Sequence, residues 1–380
     1  VRIVHVYKDY HPPVRGGVEQ TIERMARWQV AAGHDVTVLV SASGVNEDRT
    51  EVVDGVRVVR VAERARWLSS PICPGFPDAM AAERADVWHL HSPNPLGEAS
   101  WRWVRPGGAM VLTYHCDLWR QRALLPLYGP LVRSLFRSAD ALHATSPQAL
   151  ERPDSLMWPF RDRFRVVPLG VDPEPLLSLE CSRPGARPLR ERYGEPFVLF
   201  VGRLRHYKGL DVLLEAMPRV GAPLVIVGEG PMGGSLRAQA KRLGLNGHVH
   251  FAGSVSDDVL HDHLAAAAVG ILPSSGPAEA FGLSMVEYMA AGLPVVSTEL
   301  GTGTSFVNRD GVTGLVVRAC DPEALSDGLR RLLTDRETRE RMGREGRNRV
   351  REHFTTASMM RGIEDLYTAA LEHASHRARR

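Results

Sequence analysis

The stretch Glu279-Ala280-Phe281-Gly282-Leu283-Ser284-Met285-Val286-Glu287, running on into Tyr288-Met289-Ala290-Ala291-Gly292-Leu293-Pro294-Val295-Val296, decides how this chain is read. It reads as a loop, a helix N-terminus, a short helix and then a buried strand. A helix start offers free backbone N–H groups and the positive end of the helix dipole, so it favours an anion such as a diphosphate. Phe281, Gly282 and Leu283 would supply that backbone. Glu279 sits in the entering loop and Glu287 about two turns further on. One carboxylate at each end of a phosphate site suits a sugar nucleotide: one for the hexose hydroxyls, one for the ribose. Two Glu at this spacing alone also occur on solvated helices; the specificity lies in the whole string.

Upstream, the apolar run Phe197–Val201 leads into Gly202-Arg203-Leu204-Arg205-His206-Tyr207-Lys208-Gly209. The carboxyl end of a strand is where an open α/β sheet binds ligands. Arg203 offers a planar fork for phosphate oxygens and Lys208 a point charge. The plain alternative is two solvated cations on a loop. Gly228-Glu229-Gly230-Pro231 closes the next strand, Leu224–Val227, with a tight glycine turn that lets backbone approach a ligand.

Apolar runs alternate with helical patterns along the whole chain, which implies parallel sheets with helices on both faces. The strand candidates of the first half are Arg2–Val6, Val36–Val40, Val56–Val61, Val87–Leu90, Met110–Tyr114, Ala141–Ala144 and Arg165–Val167. Val18–Ala32 reads as a helix that stops at Gly33. Gly16 and Gly17, just before it, make its N-terminus a ready anion site. Pro173–Pro196 is dense in proline with little periodicity and reads as a linker or boundary. The expected division is a Rossmann-like domain over 1–171, a second over 172–354, and a terminal helix over 355–380. That helix carries Met359, Ile363, Leu366, Tyr367 and Leu371 on one face.

The chain of 380 residues is too long for one ordinary core. Its 44% hydrophobic and 24% charged residues are normal for a globular protein. A net charge of +3 gives no field for nucleic acid, and none is expected as a partner. Cys73, Cys116, Cys181 and Cys320 are scattered without a C-x-x-C and read as free thiols in a reducing compartment. No metal-ligand spacing stands out among the 15 histidines, so no metal is expected. The first apolar run is too short for a signal-peptide core. No run approaches the ~18 apolar residues of a membrane span. The expectation is a cytoplasmic protein. Leu118–Ser138 carries Trp119, Leu124, Leu127, Tyr128 and Leu131 with Arg120, Arg122, Arg133 and Arg137. It is either a packed helix with a solvated basic face or a peripheral contact at the inner face of the membrane.

The Glu279–Glu287 string with its Ala-Gly-Leu-Pro-Val exit, joined to the Gly202–Gly209 clamp, resembles family 4 of the retaining GT-B glycosyltransferases, the glycogen synthase and mannosyltransferase group. The resemblance covers most of the chain and is clearest from Phe197 to Val317. It implies an α/β GT-B fold, two Rossmann-like domains facing each other across a cleft. It implies transfer of a hexose from a nucleotide diphosphate to an acceptor hydroxyl with retained configuration, in bacterial glycan or glycoconjugate biosynthesis. On that resemblance His115, Glu279, Arg203 and Lys208 are catalytic. Gly16, Gly17, Val255, Phe281, Gly282, Leu283 and Glu287 join Arg203, Lys208 and Glu279 in holding the donor. The stretch Phe251–Val255 would hold the base through backbone atoms. His115 lies at a strand exit near the donor hexose, with Asp117 and His91 on the acceptor side. The donor would be GDP-mannose or a UDP-hexose; the acceptor a sugar, a lipid-linked molecule or a small molecule. No cofactor is implied, and no D-x-D points to a metal-held diphosphate.

One departure stands out. Many relatives place a Glu after Gly-Gly beyond the Val-Val-x-Thr strand, whereas here Ser297-Thr298-Glu299-Leu300-Gly301-Thr302-Gly303-Thr304-Ser305 puts Ser305 in its place. This form looks like a branch associated with bacterial surface polysaccharides, often mannosyl transfer. Three other readings remain. A glycoside hydrolase would need its carboxyls roughly 5 to 9.5 Å apart, yet eight helical residues span about 12 Å. A sugar-nucleotide epimerase or phosphorylase can share a two-domain fold. A non-catalytic sugar-nucleotide sensor would bind a donor without releasing nucleotide.

Overall fold

Val198-Leu199-Phe200-Val201 and Val269-Gly270-Ile271-Leu272 show no polar alternation, which suits strands covered on both faces. Both are central strands of one parallel sheet in the computed structural model, which describes residues 1–117, 124–180 and 182–378. The chain divides into two units, Val1–Leu169 with Thr356–Arg380, and Gly170–Thr355.

The first unit holds β1 (Arg2–Val6), β2 (Asp35–Ser41), β3 (Arg49–Val53), β4 (Val56–Val61), β5 (Ala65–Trp67), β6 (Ser70–Ile72), β7 (Val87–Ser92), β8 (Ala109–Tyr114), β9 (Ala141–Ala144) and β10 (Phe164–Val166). Its main sheet runs β10-β9-β8-β7-β1-β2-β4-β3, parallel except for β3, while β5 and β6 form a separate hairpin. Sequence reading overlooked β3 because it is an exposed edge with alternating charge, a pattern that protects an edge but looks like a loop. Helices cover both faces. On one, Trp88, Met110, Leu112, Tyr128, Leu135 and Phe136 form the larger cluster; on the other, Ile22, Val36, Val38 and Val58 pack together. The helix Thr356–Ala378 buries Met359, Met360, Ile363, Leu366 and Ala370 and lies against β7, β8 and β9. Gly362 permits that approach: a Cβ there would sit 2.7 Å from Cγ1 of Val167.

The second unit holds β11 (Val198–Val201), β12 (Leu224–Val227), β13 (Val249–Gly253), β14 (Val269–Leu272), β15 (Val295–Glu299) and β16 (Gly314–Arg318) in the order β13-β12-β11-β14-β15-β16, all parallel. This is the doubly wound order, and the chain reverses its winding direction between β11 and β14. The first unit reverses in the same way between β1 and β7. Loops leaving the carboxyl ends of two such strands diverge and open a crevice, the usual place for a ligand.

The proline-rich segment begins just after the division at Leu169 and is folded, not a bare linker. It contains the helices Glu174–Leu177 and Ala186–Tyr193, belongs to the second unit, and buries Leu176, Leu179, Ala186 and Tyr193. Pro175 and Pro188 stand in first turns, where a missing N–H breaks no helical bond. The helix Leu125–Ser138 packs Tyr128, Val132, Leu135 and Phe136 inward, with Arg133, Arg137 and Leu127 exposed. Trp119, Arg120 and Arg122 lie outside the described residues. Cys73, Cys116 and Cys320 form no disulfide, and Cys181 lies outside the described residues. Among the described residues no helix is long and apolar enough to cross a membrane.

Candidate active site

At the switch point of the second unit, the loop after β11 carries Arg203 and Lys208, and the loop after β14 carries Glu279. Backbone fixes the two loops to each other. Gly209 adopts φ +64°, and a Cβ there would lie 2.0 Å from the carbonyl oxygen of Pro273. Ser275 N–H donates to Tyr207 O at 2.8 Å. This stitching brings the Lys208 Nζ to 2.5 Å from Glu279 Oε2, with the two residues only 9% and 7% exposed. Burial pulls the ammonium down; the charges of Glu279, Tyr207 and Glu287 outweigh it and hold Lys208 above the ordinary lysine range.

Glu279 is braced from several sides. Ser274 Oγ donates to Oε2 at 2.9 Å, and Thr302 Oγ1 donates to its carbonyl at 2.8 Å. Thr298 Oγ1 donates to Ser274 O, and Gly303 N–H to Ala280 O. Arg203 is exposed and has no side-chain partner among the described residues, which leaves its guanidinium available to an anion. Glu287 is half-buried on the helix Leu283–Ala290.

That helix starts at Gly282, with φ +81° and no side-chain cap. The left-handed φ favours glycine there, and a Cβ would also press on Leu272 Cδ2 at 2.8 Å and Met285 Cε at 2.7 Å. Met285 N–H already donates to Gly282 O at 2.9 Å, and the N–H groups ahead of it are those a helix start leaves for a ligand or water. Phe281 is 4% exposed and meets Phe354 edge-on at 5.8 Å, so its ring is core and its backbone is the part that belongs to the loop. The glycine turn after β12 lies against the clamp: a Cβ on Gly228 would be 2.2 Å from Gly202 O, one on Gly230 2.5 Å from Leu204 O. Leu204 N–H donates to Glu229 O at 2.9 Å. Val255 is half-buried just beyond β13. Ser305, in the position of the missing Glu, donates to both oxygens of Glu299 at 2.8 and 2.7 Å. Glu299 also accepts from Gly301 N–H, so a carboxylate reaches this loop from another position.

In the first unit the expected groups are differently placed. Gly16 is the N-cap of the helix Gly17–Ala31, but the buried Glu19 folds over it: a Cβ on Gly16 would be 2.4 Å from Glu19 Oε2. A donor phosphate at Gly16 and Gly17 would meet that carboxylate first. His115 is 6% exposed and its Nε2 lies 3.1 Å from His91 Nδ1. His91 was expected on the acceptor side; it is fully buried, with both ring nitrogens taken by His115 and His5. Asp117 is only partly buried and also serves as an anchor within the unit. Its Oδ1 accepts from Tyr114 Oη at 3.0 Å, Ser155 Oγ at 3.2 Å and Leu156 N–H at 3.3 Å, which ties β8 to the segment after Ser146. Sequence reading missed Ser274, Thr298 and Thr302 as supports of Glu279, and His5, Thr113 and His143 as buried partners of the histidines. The one available signal was the period-two spacing of His89 and His91, which puts both on one face of β7.

A doubly wound sheet with a buried Lys–Glu pair, an exposed arginine and an uncapped helix start at its switch point makes an α/β site suited to an anionic ligand. Comparison with known proteins carries this further. Residues 186–349 match the family model described as Glycosyl transferases group 1, and residues 15–175 match Glycosyltransferase Family 4. The chain is 32% identical to O-antigen chain mannosyltransferase C of Escherichia coli, over 99% of this chain and 100% of that one. It is 36% identical to D-rhamnosyltransferase WbpZ of Pseudomonas aeruginosa, over 93% and 92%. Sucrose-phosphate synthase of Thermosynechococcus elongatus superposes with a TM-score of 0.82 at 23% identity, covering 97% of this chain and 98% of that one. The fold is thus GT-B. The chain belongs to family 4 of the GT-B glycosyltransferases, enzymes that use nucleotide-sugar donors and sugar acceptors.

Proposed function

We propose that the chain transfers a manno-configured hexose from a nucleoside diphosphate, GDP-mannose before any UDP-hexose, to a hydroxyl of a growing bacterial glycan, with retained configuration and without a metal. The observation that carries the reading is the Lys208–Glu279 pair, buried beside the unpartnered Arg203 and the uncapped start at Gly282. Arg203 and Lys208 meet the charge that develops on the departing diphosphate, and the helix N–H groups add to it. Glu279 takes a hexose hydroxyl and Glu287 the ribose. The manno configuration is supported by the two relatives, named for mannosyl and D-rhamnosyl transfer; D-rhamnose is mannose without its 6-hydroxyl.

The reading is tested by thermal shift with GDP-mannose, GDP, UDP-glucose and UDP, followed by nucleotide release with an oligosaccharide acceptor. A ligand that binds only the native state raises apparent stability. The expected result is stabilisation by GDP and GDP-mannose, and GDP release that survives EDTA. Stabilisation by the UDP pair alone overturns the donor, and abolition by EDTA overturns metal independence. Peripheral membrane contact through Leu127, Arg133 and Arg137 belongs to the same proposal and is checked by co-sedimentation with anionic vesicles.

A further inference from the structure

On one face of the first unit's sheet, four neighbouring strands carry polar groups far from any charge partner: His5 on β1, His89 and His91 on β7, Thr113 on β8 and His143 on β9, with His115 just beyond β8. In register, His5 opposes His89, His91 opposes Thr113, and Thr113 opposes His143. All but His115 are fully buried. His5, His89 and His91 bring ring nitrogens within 4.8 Å of one another. They offer a metal no free ligand atom, because His89 bonds Tyr367 and Thr113 while His5 bonds Gln29 and His91.

The direction of every hydrogen bond in this set follows from one fixed end. The carbonyl of Val167 can only accept, so His143, 2.8 Å away, carries its proton on Nε2. Its Nδ1 is then an acceptor, and Thr113 Oγ1 must donate to it at 2.8 Å. That hydroxyl has one proton, so His89 Nε2–H donates to Thr113 at 2.6 Å. His89 Nδ1 in turn accepts from Tyr367 Oη at 2.7 Å, and Tyr367 accepts from the Gln29 amide nitrogen at 3.2 Å. The Gln29 oxygen therefore faces His5, accepting from Nε2–H at 2.7 Å. His5 Nδ1 accepts from His91 Nε2–H at 3.0 Å, and His91 Nδ1 from His115 Nε2–H at 3.1 Å. His115 Nδ1 has no partner among the described residues.

We propose that this run of eight hydrogen bonds, polarised by the Val167 carbonyl, holds His115 as its Nε2–H tautomer and presents the Nδ1 lone pair to accept from a substrate hydroxyl. The inference rests on the reading of His115 as a site residue. The derivation requires neutral rings. Burial supplies that condition: it pushes His5 and His143 down to about 4 and His115 to about 3, while burial and the neighbouring rings hold His89 and His91 well below the usual range. The run ends at a carbonyl with no exchangeable proton, so it sets orientation and does not conduct protons. Thr113, His91, His5, Gln29 and Tyr367 are thus positioning residues, acting on the reaction through which nitrogen of His115 is bare.

The test is nitrogen NMR of the full chain labelled at histidine, with His115 assigned by the signals lost in His115→Gln. The expected wild-type spectrum has His115 protonated at Nε2 and bare at Nδ1. Thr113→Val keeps the side-chain shape but removes the hydroxyl that joins His143 to His89, so the Nδ1–H form of His115 becomes populated. The wrong tautomer should lower kcat on the order of tenfold or more with donor KM little changed. Thr113→Ser restores both spectrum and rate. Tyr367→Phe breaks the run from another element and stands in if Thr113→Val fails to fold. A wild-type His115 protonated at Nδ1, or a tautomer unmoved by both breaks, overturns the proposal. A tautomer change without a change in kcat also overturns it, whereas failure of the donor reading shows separately as nucleotide binding that ignores Lys208 and Glu279.

Discussion

Replacing Glu279 by Met, Lys208 by Met, and then both together, separates what the ion pair does for stability from what it does for chemistry. Both residues are less than a tenth exposed and their charged atoms lie 2.5 Å apart, so solvent screens them little. Removing one partner of a buried pair leaves a bare charge and costs about 3–5 kcal/mol. Glu279→Met belongs at the upper end. It leaves the Lys208 ammonium with only the Tyr207 ring, 5.5 Å away, and the field of Glu287, and it takes away the acceptor of Ser274 Oγ. Lys208→Met costs nearer 3 kcal/mol, because Glu279 keeps the Ser274 hydroxyl. The double variant buries no charge and should be more stable than either single one. The assay is urea unfolding followed on the second unit's transition, where about 3 kcal/mol at an m of up to ~3 kcal/mol/M moves the midpoint by roughly 1 M or more. All three variants should release no nucleotide from the donor. If each single loss is below about 1 kcal/mol, the pair is screened like a surface contact. If the double loss equals the sum of the singles, the two groups do not act as a pair. Either result refutes the reasoning.

Gly209→Ala and Gly221→Ala compare two left-handed glycines, φ +64° and +72°, of which only the first faces a backbone oxygen at 2.0 Å. Both should lose about 1–2 kcal/mol for the backbone conformation, but only Gly209→Ala should abolish transfer, because Pro273 and the loop carrying Glu279 must move; equal activity in the two would refute this. The buried histidines predict acid sensitivity. Rings held near 3 to 4 in the fold and near 6.5 unfolded bind protons preferentially in the unfolded chain, so their contribution is complete above about pH 7 and falls as pH drops through 6.5 towards 4. By pH 5 each should withdraw on the order of 2 kcal/mol, seen as a lower urea midpoint for the first unit; a flat midpoint from pH 7.5 to 5 would count against it. Asp117→Asn keeps an acceptor oxygen for Tyr114, Ser155 and Leu156 and should alter activity little, whereas Asp117→Ala should cost about 1–3 kcal/mol of stability; an inactive but fully stable Asp117→Asn would restore Asp117 to the acceptor site.

The sheets were legible because their strands are short apolar runs closed by turn residues, and the parallel order follows once helices alternate with them. The polar clamp was legible for a similar reason. Arg203, Lys208, Glu279 and Gly282 lie in two local strings, each directly after a strand, so position in the chain nearly determines position in the site. The segment Pro173–Pro196 misled because proline density signals either a linker or a series of helix starts, and burial of Ala186 and Tyr193 decides between them only after folding. The carboxylate of Glu19 over Gly16 was invisible since it depends on a rotamer. His91 stands near a strand end, which suggests exposure, yet it is turned inward by a partner as distant in sequence as His5, and Asp117 is held by Ser155. Histidines at 5, 89, 115 and 143 form a line only when the strand register is known.

The two units place polar chemistry at the same topological position but neutralise it differently, and this bears on how each responds to its surroundings. In the second unit, full charges face each other across the gap between the β11 and β14 loops, as Lys208 and Glu279. An anionic ligand there competes with Glu279 for the ammonium, so binding must rearrange or share the pair, and affinity follows the charge of the ligand. In the first unit, neutral imidazoles and hydroxyls satisfy one another between β1, β7, β8 and β9, and the nearby carboxylates Glu19 and Asp117 are engaged with their own helix start and loop. Such a set attracts no net charge; it recognises by the direction of hydrogen bonds, which suits uncharged hydroxyls and not phosphate. Under the proposed function, this difference in neutralisation would assign the donor phosphate to the second unit and uncharged hydroxyls to the first. Raising salt should weaken donor nucleotide binding through Arg203 and Lys208, while the His115 tautomer should stay where it is.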